Sequence, residues 1–220
     1  MKTFKRIFSG ALLVVLFSNA GWGQLLTEEF DGYALGNLGT QGGWVQTTGG
    51  TDVQVSNATT IIYDDYNGGD DEYLTISSTD GTDPHKVFTS QTATTSIWFS
   101  FLIQVSSFSG TGEYFFTLRN TDNTNNTDYL ARIFIKDNSG NLQFGTSKGS
   151  ETADNYSGTY SYDVTYLVVG RYDWSTANGT DDNFNVWINP VISEDLVIEN
   201  SANYSIVGGS DPNFGSQINS

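Results

Sequence analysis

Apolar and polar residues alternate most clearly over residues 165–190. In the second half of this stretch every second position is apolar, at Phe184, Val186 and Ile188, which is the period of a β-strand with one buried face. A polar link containing Gly and Asn separates the two halves, as in a hairpin loop. Pro190 ends the second strand because proline has no N–H to donate. The pattern predicts two long neighbouring antiparallel strands in the middle of an all-β domain.

Shorter runs of the same kind occur along the rest of the chain. They predict strands at residues 25–31, 53–55, 73–77, 96–105, 113–119, 130–136 and 141–146, with weaker ones at 196–198 and 205–207. Turn residues at 137–140 join two of these strands into a hairpin. About ten strands separated by turns are typical of a two-sheet antiparallel sandwich. No repeat or linker divides residues 24–220, so we expect a single β-sandwich domain.

The last residues of the sequence form an incomplete pattern. Residues 214–220 read as a strand that is beginning where the sequence stops. We therefore expect a polypeptide that is cut short and lacks the closing C-terminal strands of its sandwich. The alternative is a frayed natural terminus.

The first 20 residues have the pattern of a secretory signal peptide. Three cations precede an apolar run at residues 11–17, and small residues follow at 18–20, as a signal peptidase requires. Cleavage could also fall as late as residue 23. The apolar run is far shorter than the roughly 20 residues that cross a bilayer. We expect a protein that is secreted or held at the cell surface, with no membrane insertion after removal of the signal.

Charge excludes several classes of partner. The chain has 25 Asp and Glu residues and nine Lys and Arg residues, and three of the nine cations lie in the signal segment. Without that segment the formal net charge is 6 − 25 = −19. Such a protein is repelled by nucleic acid and by anionic membranes. The absence of cysteine excludes thiol catalysis and Cys-based zinc sites, and the fold must rest on its core without disulfides.

Several stretches together resemble the concanavalin A-like (laminin G-like) jelly-roll modules of long secreted bacterial proteins. They are residues 29–33 with 42–44, residues 132–136 with 144–145, and residues 166–169 with 181–190. The resemblance covers most of the chain after residue 24 and implies two curved antiparallel sheets. It also implies further domains in the same parent chain, and a last strand beside the first, which we expect to be missing from this sequence. Such modules include lectins, glycan hydrolases and lyases, and adhesive domains, so the fold does not settle the function.

The sequence lacks the motifs that catalysis in this class would use. The Glu-x-Asp-x-x-Glu strand of jelly-roll glucanases is absent, and the adjacent pair Glu28 and Glu29 would point to opposite faces of a strand. The Arg-Thr-Glu and Gln-x-His strands of jelly-roll lyases are absent too. The only histidine, His85, follows Asp83 and Pro84 and is interpreted as a surface turn residue. We therefore favour a protein that is not an enzyme.

An acidic loop offers candidate ligands for Ca²⁺, which takes six to eight oxygens. The residues are Asp64, Asp65, Asp70 and Asp71. Their register does not fit an EF-hand, and a solvated acidic turn is the alternative. Asp181 and Asp182, in the loop of the long hairpin, form a second candidate.

Four of the few cations lie in predicted strands beside aromatic residues, and we expect all four to lie on one sheet. Rings can stack on sugars, and Arg can hold a carboxylate or sulfate through two hydrogen bonds. The sequence therefore predicts a glycan groove, with an anionic glycan as one alternative, and pairing of the cations with acidic neighbours as the other interpretation. The candidate ligand-binding residues are Arg119, Arg132, Phe134, Lys136, Arg171, Trp98 and Trp187.

These patterns predict an exported, acidic, all-β jelly-roll module. Its expected role is carbohydrate binding or adhesion without catalysis, as part of a larger secreted protein. A glycan hydrolase or lyase with a non-standard site is the first alternative, and a structural spacer is the second.

Overall fold

The strands of the chain form antiparallel sheets in a sandwich-like arrangement, as the alternation predicted. The structure is a computed structural model that describes residues 25–46, 50–58, 61–63, 72–77, 80–92, 95–120, 129–175, 180–191, 198, 200–207, 211 and 217–220. Its strands are Gly36–Asn37 (β1), Trp44–Val45 (β2), Gln54–Ser56 (β3), Tyr73–Thr75 (β4), His85–Lys86 (β5), Gln91–Thr92 (β6), Ser96–Gln104 (β7), Glu113–Arg119 (β8), Tyr129–Asn138 (β9), Asn141–Ser147 (β10), Asn155–Tyr160 (β11), Thr165–Asp173 (β12), Asn183–Ile188 (β13), Tyr204–Val207 (β14) and Gln217–Ile218 (β15).

Two four-stranded sheets make up the body of the fold. The front sheet has the order β11-β10-β9-β8, and the back sheet has the order β14-β13-β12-β7. The predicted central hairpin is confirmed, because β12 and β13 pair with each other and occupy the two middle positions of the back sheet. Three smaller sheets, β1-β3-β4, β2-β5 and β6-β15, complete the described structure.

The core lies between the inner faces of the front and back sheets. Phe99 of the back sheet packs on Phe116 of the front sheet with ring centroids 4.5 Å apart, and Phe144 meets Tyr166 at 5.9 Å. Every second residue of β12 and β13 contributes to this core, including the fully buried Val168 and Tyr172. The intervening residues therefore face outward, on the side of each sheet away from the core.

The hairpin between β9 and β10 forms as its turn residues predict. Ser139 and Gly140 have φ values of 56° and 86°, which is the left-handed conformation that two-residue hairpin turns require. The Asp137 carboxylate accepts a hydrogen bond from the Gly140 N–H at 3.2 Å. Strand β11 pairs with β10 on its other side and was missed, because residues 155–160 are mostly small and polar and show no alternation.

The predicted first strand, residues 25–31, is wrong. No strand is assigned there, because the backbone turns around the Glu28 side chain. Its carboxylate accepts hydrogen bonds from the Phe30 N–H at 3.0 Å, the Tyr33 hydroxyl at 2.9 Å and the Trp44 indole at 3.1 Å, and it pairs with Lys86. This carboxylate fixes the N-terminal segment beside a small separate core of Leu38, Val53 and Val55.

The C-terminal residues lie at the edge of the front sheet. Strand β15 pairs with β6, the Phe88 N–H donates to the Asn219 carbonyl at 2.8 Å, and the Arg119 N–H donates to the Ser220 carbonyl at 2.6 Å. Ile218 is fully buried in the main core. The strand expected to begin at residues 214–220 is therefore present at Gln217–Ile218.

Two predicted segments lie outside the described residues. They are the signal peptide at residues 1–20 and the acidic loop with Asp64, Asp65, Asp70 and Asp71. In the part of the chain that is described, no helix has the length and apolar character to cross a bilayer.

Candidate functional site

The seven predicted ligand-binding residues are divided between the two large sheets. Arg119, Arg132, Phe134 and Lys136 lie in β8 and β9 of the front sheet, whereas Trp98, Arg171 and Trp187 lie in β7, β12 and β13 of the back sheet. The grouping of Arg171 with the other cations on one sheet is therefore wrong. The two groups project from opposite sides of the core, so they form two separate surfaces.

Four polar or aromatic side chains form a row across the outer face of the back sheet. Arg171 is directly opposite Trp98 on one side and Asn185 on the other, and Asn185 is opposite Ser205. We call Trp98, Arg171, Asn185 and Ser205 the back-sheet row. Neighbouring strands are about 4.8 Å apart, so the row extends about 14 Å across the sheet.

The aromatic end of the back-sheet row is open to solvent. Trp98 is 37% exposed, and its ring stacks on Trp187 with centroids 5.8 Å apart and planes 16° apart. Trp187 is only 8% exposed, and its indole N–H donates to the Asn200 carbonyl at 3.0 Å. Trp187 therefore supports the ring of Trp98, and Trp98 is the one of the two that a ligand can reach.

The polar end of the row is held in place by hydrogen bonds. Arg171 forms an ion pair with Asp173 at 2.6 Å, and its guanidinium carbon lies 5.4 Å from the centre of the Trp98 ring. The Nε atom of Arg171 is buried without a hydrogen-bond partner. Ser205 donates to the side-chain oxygen of Asn185 at 2.8 Å. The row thus combines a flat apolar ring with oriented donors and acceptors.

The outer face of the front sheet carries alternating cations and rings. Arg132 lies between two tyrosines, with its guanidinium carbon 4.8 Å from the ring centre of Tyr114 and 5.1 Å from that of Tyr129. Arg119 lies over the same Tyr129 ring at 5.2 Å. We call the surface formed by Arg119, Arg132, Lys136, Tyr114, Tyr129 and Tyr156 the front-sheet patch. The Lys136 ammonium lies 4.3 Å from the Tyr156 ring centre.

Phe134 forms the floor of the front-sheet patch. It is 1% exposed, and the rings of Tyr114 and Tyr156 lie 5.9 Å and 6.5 Å from it. Gly145 lies opposite Phe134 and Tyr156 in the neighbouring strands, and a Cβ there would come within 2.6 Å of the Tyr156 ring. Phe134 therefore packs beneath the tyrosines, and a ligand meets their rings first.

The sequence pattern missed the outward position of Tyr114 because β8 is irregular. Strict alternation places Tyr114 on the same face as Phe116 and Leu118 and places Arg119 with Phe115. The register of β8 against β9 shifts twice, between Tyr114 and Phe116 and again before Leu118. As a result Phe115 and Phe116 both pack on the core, while Tyr114 contacts Phe134 and Arg119 contacts Tyr129 on the outer side. A bulge of this kind is not visible in the hydrophobic pattern.

Three of the six cations after the signal segment form ion pairs. Lys86 pairs with Glu28, Lys148 with Asp211, and Arg171 with Asp173. Within the described residues, the other three have no carboxylate at ion-pair distance, and all of them lie in the front-sheet patch: Arg119, Arg132 and Lys136. The alternative interpretation, in which the cations pair with acidic neighbours, therefore holds for Arg171. It does not explain the presence of the three cations on the front sheet.

Three carboxylates meet beside the loop that joins β12 to β13. Asp181, Asp182 and Asp211 place one ligand oxygen each within 4.8 Å of one another, which makes them the described residues best placed to hold a cation. Asp181 and Asp182 were candidate ligands from the sequence. Asp211 was not, because it lies 29 residues further along the chain and only the fold brings it there.

A lysine already occupies this acidic group. Lys148 pairs with Asp211, and its ammonium donates to the Asp182 carbonyl at 3.0 Å. The Asp182 carboxylate accepts hydrogen bonds from the Tyr172 hydroxyl and the Ser175 N–H, both at 2.7 Å. Burial outweighs these hydrogen bonds and raises the pKa of Asp182 above its usual range. The geometry is that of a buried polar network that ties β10 to β12 and β13.

Neither His85 nor Glu28, which the sequence analysis considered for acid–base chemistry, has the geometry of a catalytic group. His85 lies in β5 opposite Val45, half-buried, and not in a surface turn as predicted. Burial and the charge of Arg119 lower its pKa. For Glu28, burial opposes ionisation, but hydrogen bonds from Lys86, Phe30 and Tyr33 outweigh it and lower the pKa of the carboxyl. Asp182 is 1% exposed and is closed to a substrate.

Comparison with known proteins found no protein related to this chain. No family model matches the sequence, and neither the curated proteins nor the solved structures gave a match. The two outer faces are therefore interpreted from their own geometry.

Proposed function

We propose that the chain is an exported carbohydrate-binding or adhesive module of a larger secreted protein, and that it binds a glycan across the back-sheet row. The observation that supports this most directly is the exposed, supported ring of Trp98 in register with Arg171, Asn185 and Ser205. A sugar ring has an apolar face edged by hydroxyl groups. The row offers a matching apolar surface and a line of hydrogen-bonding groups.

Rigidity of the row favours binding further. Trp98 is held by the stack on Trp187, Arg171 by Asp173, and Asn185 by Ser205. Side chains that are already ordered lose little conformational freedom when a ligand arrives. The row lies on four paired strands of one sheet, so the backbone under it is fixed as well.

The enzyme alternative gains no support from the described residues. Glycoside hydrolysis requires two accessible carboxylates on either side of the sugar bond. The closest carboxylates found, Asp181, Asp182 and Asp211, are joined by the Lys148 ammonium and by backbone N–H groups. The spacer alternative predicts no saturable binding at all, so one experiment tests both.

A panel of neutral polysaccharides and their oligosaccharides tests the proposal. The chain without residues 1–23 is titrated with each member, with and without EDTA, and the release of reducing ends is followed in parallel. We expect saturable binding without release. Trp98→Ala should raise Kd at least about tenfold, or about 1.4 kcal/mol, because it removes the exposed stacking surface of the row.

Ile76→Ala is the matched control, because it removes another exposed apolar side chain that lies outside the row. Equal Kd values for Trp98→Ala and Ile76→Ala would refute the back-sheet row as the site. Release of reducing ends would establish an enzyme, and sensitivity to EDTA would add a metal requirement. Absence of binding to every polysaccharide by a folded chain would leave the structural spacer.

A further inference from the structure

We propose that the front-sheet patch is a second, independent site that binds the oxyanion groups of an acidic polysaccharide, with Arg132 at its centre. This goes beyond the back-sheet row, because the two surfaces lie on opposite sides of the core and use different residues. The first reason is the distribution of ion pairs. The chain has 25 carboxylates, yet three of the six cations in the described part of the chain form no ion pair there, and all three lie on one face of one sheet.

Burial of Arg132 is the second reason. It is 3% exposed, and its Nε and Nη1 atoms are buried with no hydrogen-bond partner among the described residues. A buried guanidinium without an acceptor destabilises the free protein unless something compensates its charge. The Tyr114 and Tyr129 rings compensate part of it by cation–π contacts, and they fix the plane of the group. An incoming oxyanion would supply the missing acceptor.

The Ser147 hydroxyl does not fill this role. Ser147 lies directly opposite Arg132 in β10, but its hydroxyl oxygen accepts hydrogen bonds from the Gly149 and Ser150 N–H groups at 3.2 Å and 2.7 Å. Burial raises the pKa of the Tyr114 phenol, and the charges of Asp83 and Glu151 raise it further, against the opposite effect of Arg132. Neither forms an ion pair with Arg132 within the described residues.

Spacing of the cations indicates a polymer and not a single small ion. Arg132 and Lys136 lie four residues apart on the same face of β9, which corresponds to about 13 Å along a strand. Arg119 extends the line past Tyr129. A small anion can satisfy only one of these positions. A polysaccharide with a charge on successive sugars can contact all three, and the tyrosine rings between them can contact the sugars.

The charge of the whole chain makes the test selective. At a net charge of −16, a polyanion is repelled by the surface as a whole. Any binding of a polyanion must therefore come from a local cationic site and must weaken as salt is added. Non-specific electrostatic attraction between the protein and an acidic polymer would therefore not be mistaken for specific binding.

The experiment compares dextran sulfate, polygalacturonate and uncharged dextran, with inorganic sulfate as a competitor. Wild-type protein should bind one or both acidic polymers. Arg132→Gln should weaken that binding about tenfold, and Lys136→Gln should weaken it less. Ile76→Glu is the matched control, because it makes the net charge more negative by the same one unit at an exposed position outside both the front-sheet patch and the back-sheet row, and it should leave this affinity unchanged. Binding of only one acidic polymer would support the proposal and identify the charged group.

Three results would overturn the proposal. The first is equal loss in Arg132→Gln and Ile76→Glu, which would indicate a general charge effect. The second is displacement by inorganic sulfate as effective as that by the polymer at equal sulfate concentration, which would indicate a site for a small ion only. The third is no binding of either acidic polymer by a folded wild-type chain.

Thermal unfolding separates binding from folding. A ligand that binds the folded state raises Tm, so the acidic polymer should raise Tm of the wild type and of Ile76→Glu but not that of Arg132→Gln. Arg132→Lys keeps the charge and loses the planar group, so an intermediate affinity is expected. Because neutral and acidic polymers are tested separately, failure of this site and failure of the back-sheet row give different results.

Discussion

Two buried cations in this protein have opposite surroundings. Lys148 is surrounded by oxygen atoms from Asp182 and Asp211, whereas Arg132 contacts two aromatic rings and has unpaired donors. Removing one member of a buried ion pair leaves the other charge without compensation, but removing an unpaired charge removes a source of instability. Stability measurements on the two residues should therefore differ in size.

Lys148→Met should destabilise the fold by about 3–5 kcal/mol. The side chains of both Lys148 and Asp211 are 5% exposed, so water cannot replace the lost ammonium, and three carboxylates would then face one another. Chemical denaturation at neutral pH measures the change. If Ca²⁺ restored the stability of the variant, the acidic group would be shown to accept a metal.

Arg132→Met is the comparison for this prediction. It removes a buried cation from the neighbouring strand of the same sheet and should change the free energy of unfolding by less than about 1 kcal/mol, because the lost cation–π contacts offset the relief of the buried charge. Equal destabilisation by the two variants would contradict the interpretation of Lys148 as the centre of a polar network.

At the scale of elements, β12 depends on a glycine for its packing. Gly170 lies opposite Phe99 in β7, and a Cβ on Gly170 would come within 2.1 Å of the Phe99 ring. That ring also packs on Phe116 across the core at 4.5 Å. The absence of a side chain at residue 170 thus lets the back sheet place an aromatic ring against the front sheet.

Gly170→Ala should destabilise the protein by about 1–3 kcal/mol, because the Phe99 ring must move in a packed core. The measurement is urea denaturation of the single variants and of Gly170→Ala combined with Phe99→Leu. The smaller leucine makes room for the new methyl group, so the two changes should be less than additive. Additive effects would mean that residue 170 acts through the backbone and not through Phe99.

At the scale of the whole molecule, stability in acid depends on carboxylates with opposite shifts. Glu28 has a lowered pKa in the folded state, so its contribution to stability is complete above its usual pKa of 4.5 and is lost as the pH falls through the folded value. Asp182 has a raised pKa, so its ionised form opposes folding, and that effect is relieved as the pH falls toward 3.8. The Glu28 effect falls below pH 4.5 and the Asp182 effect falls above pH 3.8, so the two groups act against each other where these ranges overlap.

Glu28→Gln should lower the free energy of unfolding by about 1–3 kcal/mol at pH 7, through loss of charged hydrogen bonds. The difference from wild type should shrink as the pH falls below 4.5, because the wild-type carboxyl then becomes neutral as well. Denaturation curves from pH 7 to pH 3 test this. A difference that stays constant over the whole range would mean that the charge of Glu28 has no role.

The sequence predicted much of the fold, because its signals are local. Strand β8, the hairpin of β9 and β10, and the central hairpin follow from alternation and turn residues, and the structure confirms them. The predicted first strand failed because the contacts of Glu28 come from residues up to Lys86. The sequence did not predict that the seven candidate ligand-binding residues lie on two different sheets. Alternation shows which side of a strand a residue occupies but not which sheet the strand joins. Asp211 and the outward position of Tyr114 likewise depend on tertiary contacts and register shifts.

The placement of the back-sheet row and the front-sheet patch on opposite outer faces has a mechanical consequence. Ligands on the two faces cannot compete for space, since the packed core lies between them. One copy of the domain would then cross-link a neutral polymer and an acidic polymer without forming a dimer. Because each polymer offers many repeats, a layer of such domains would stiffen a mixed matrix even if each contact is weak.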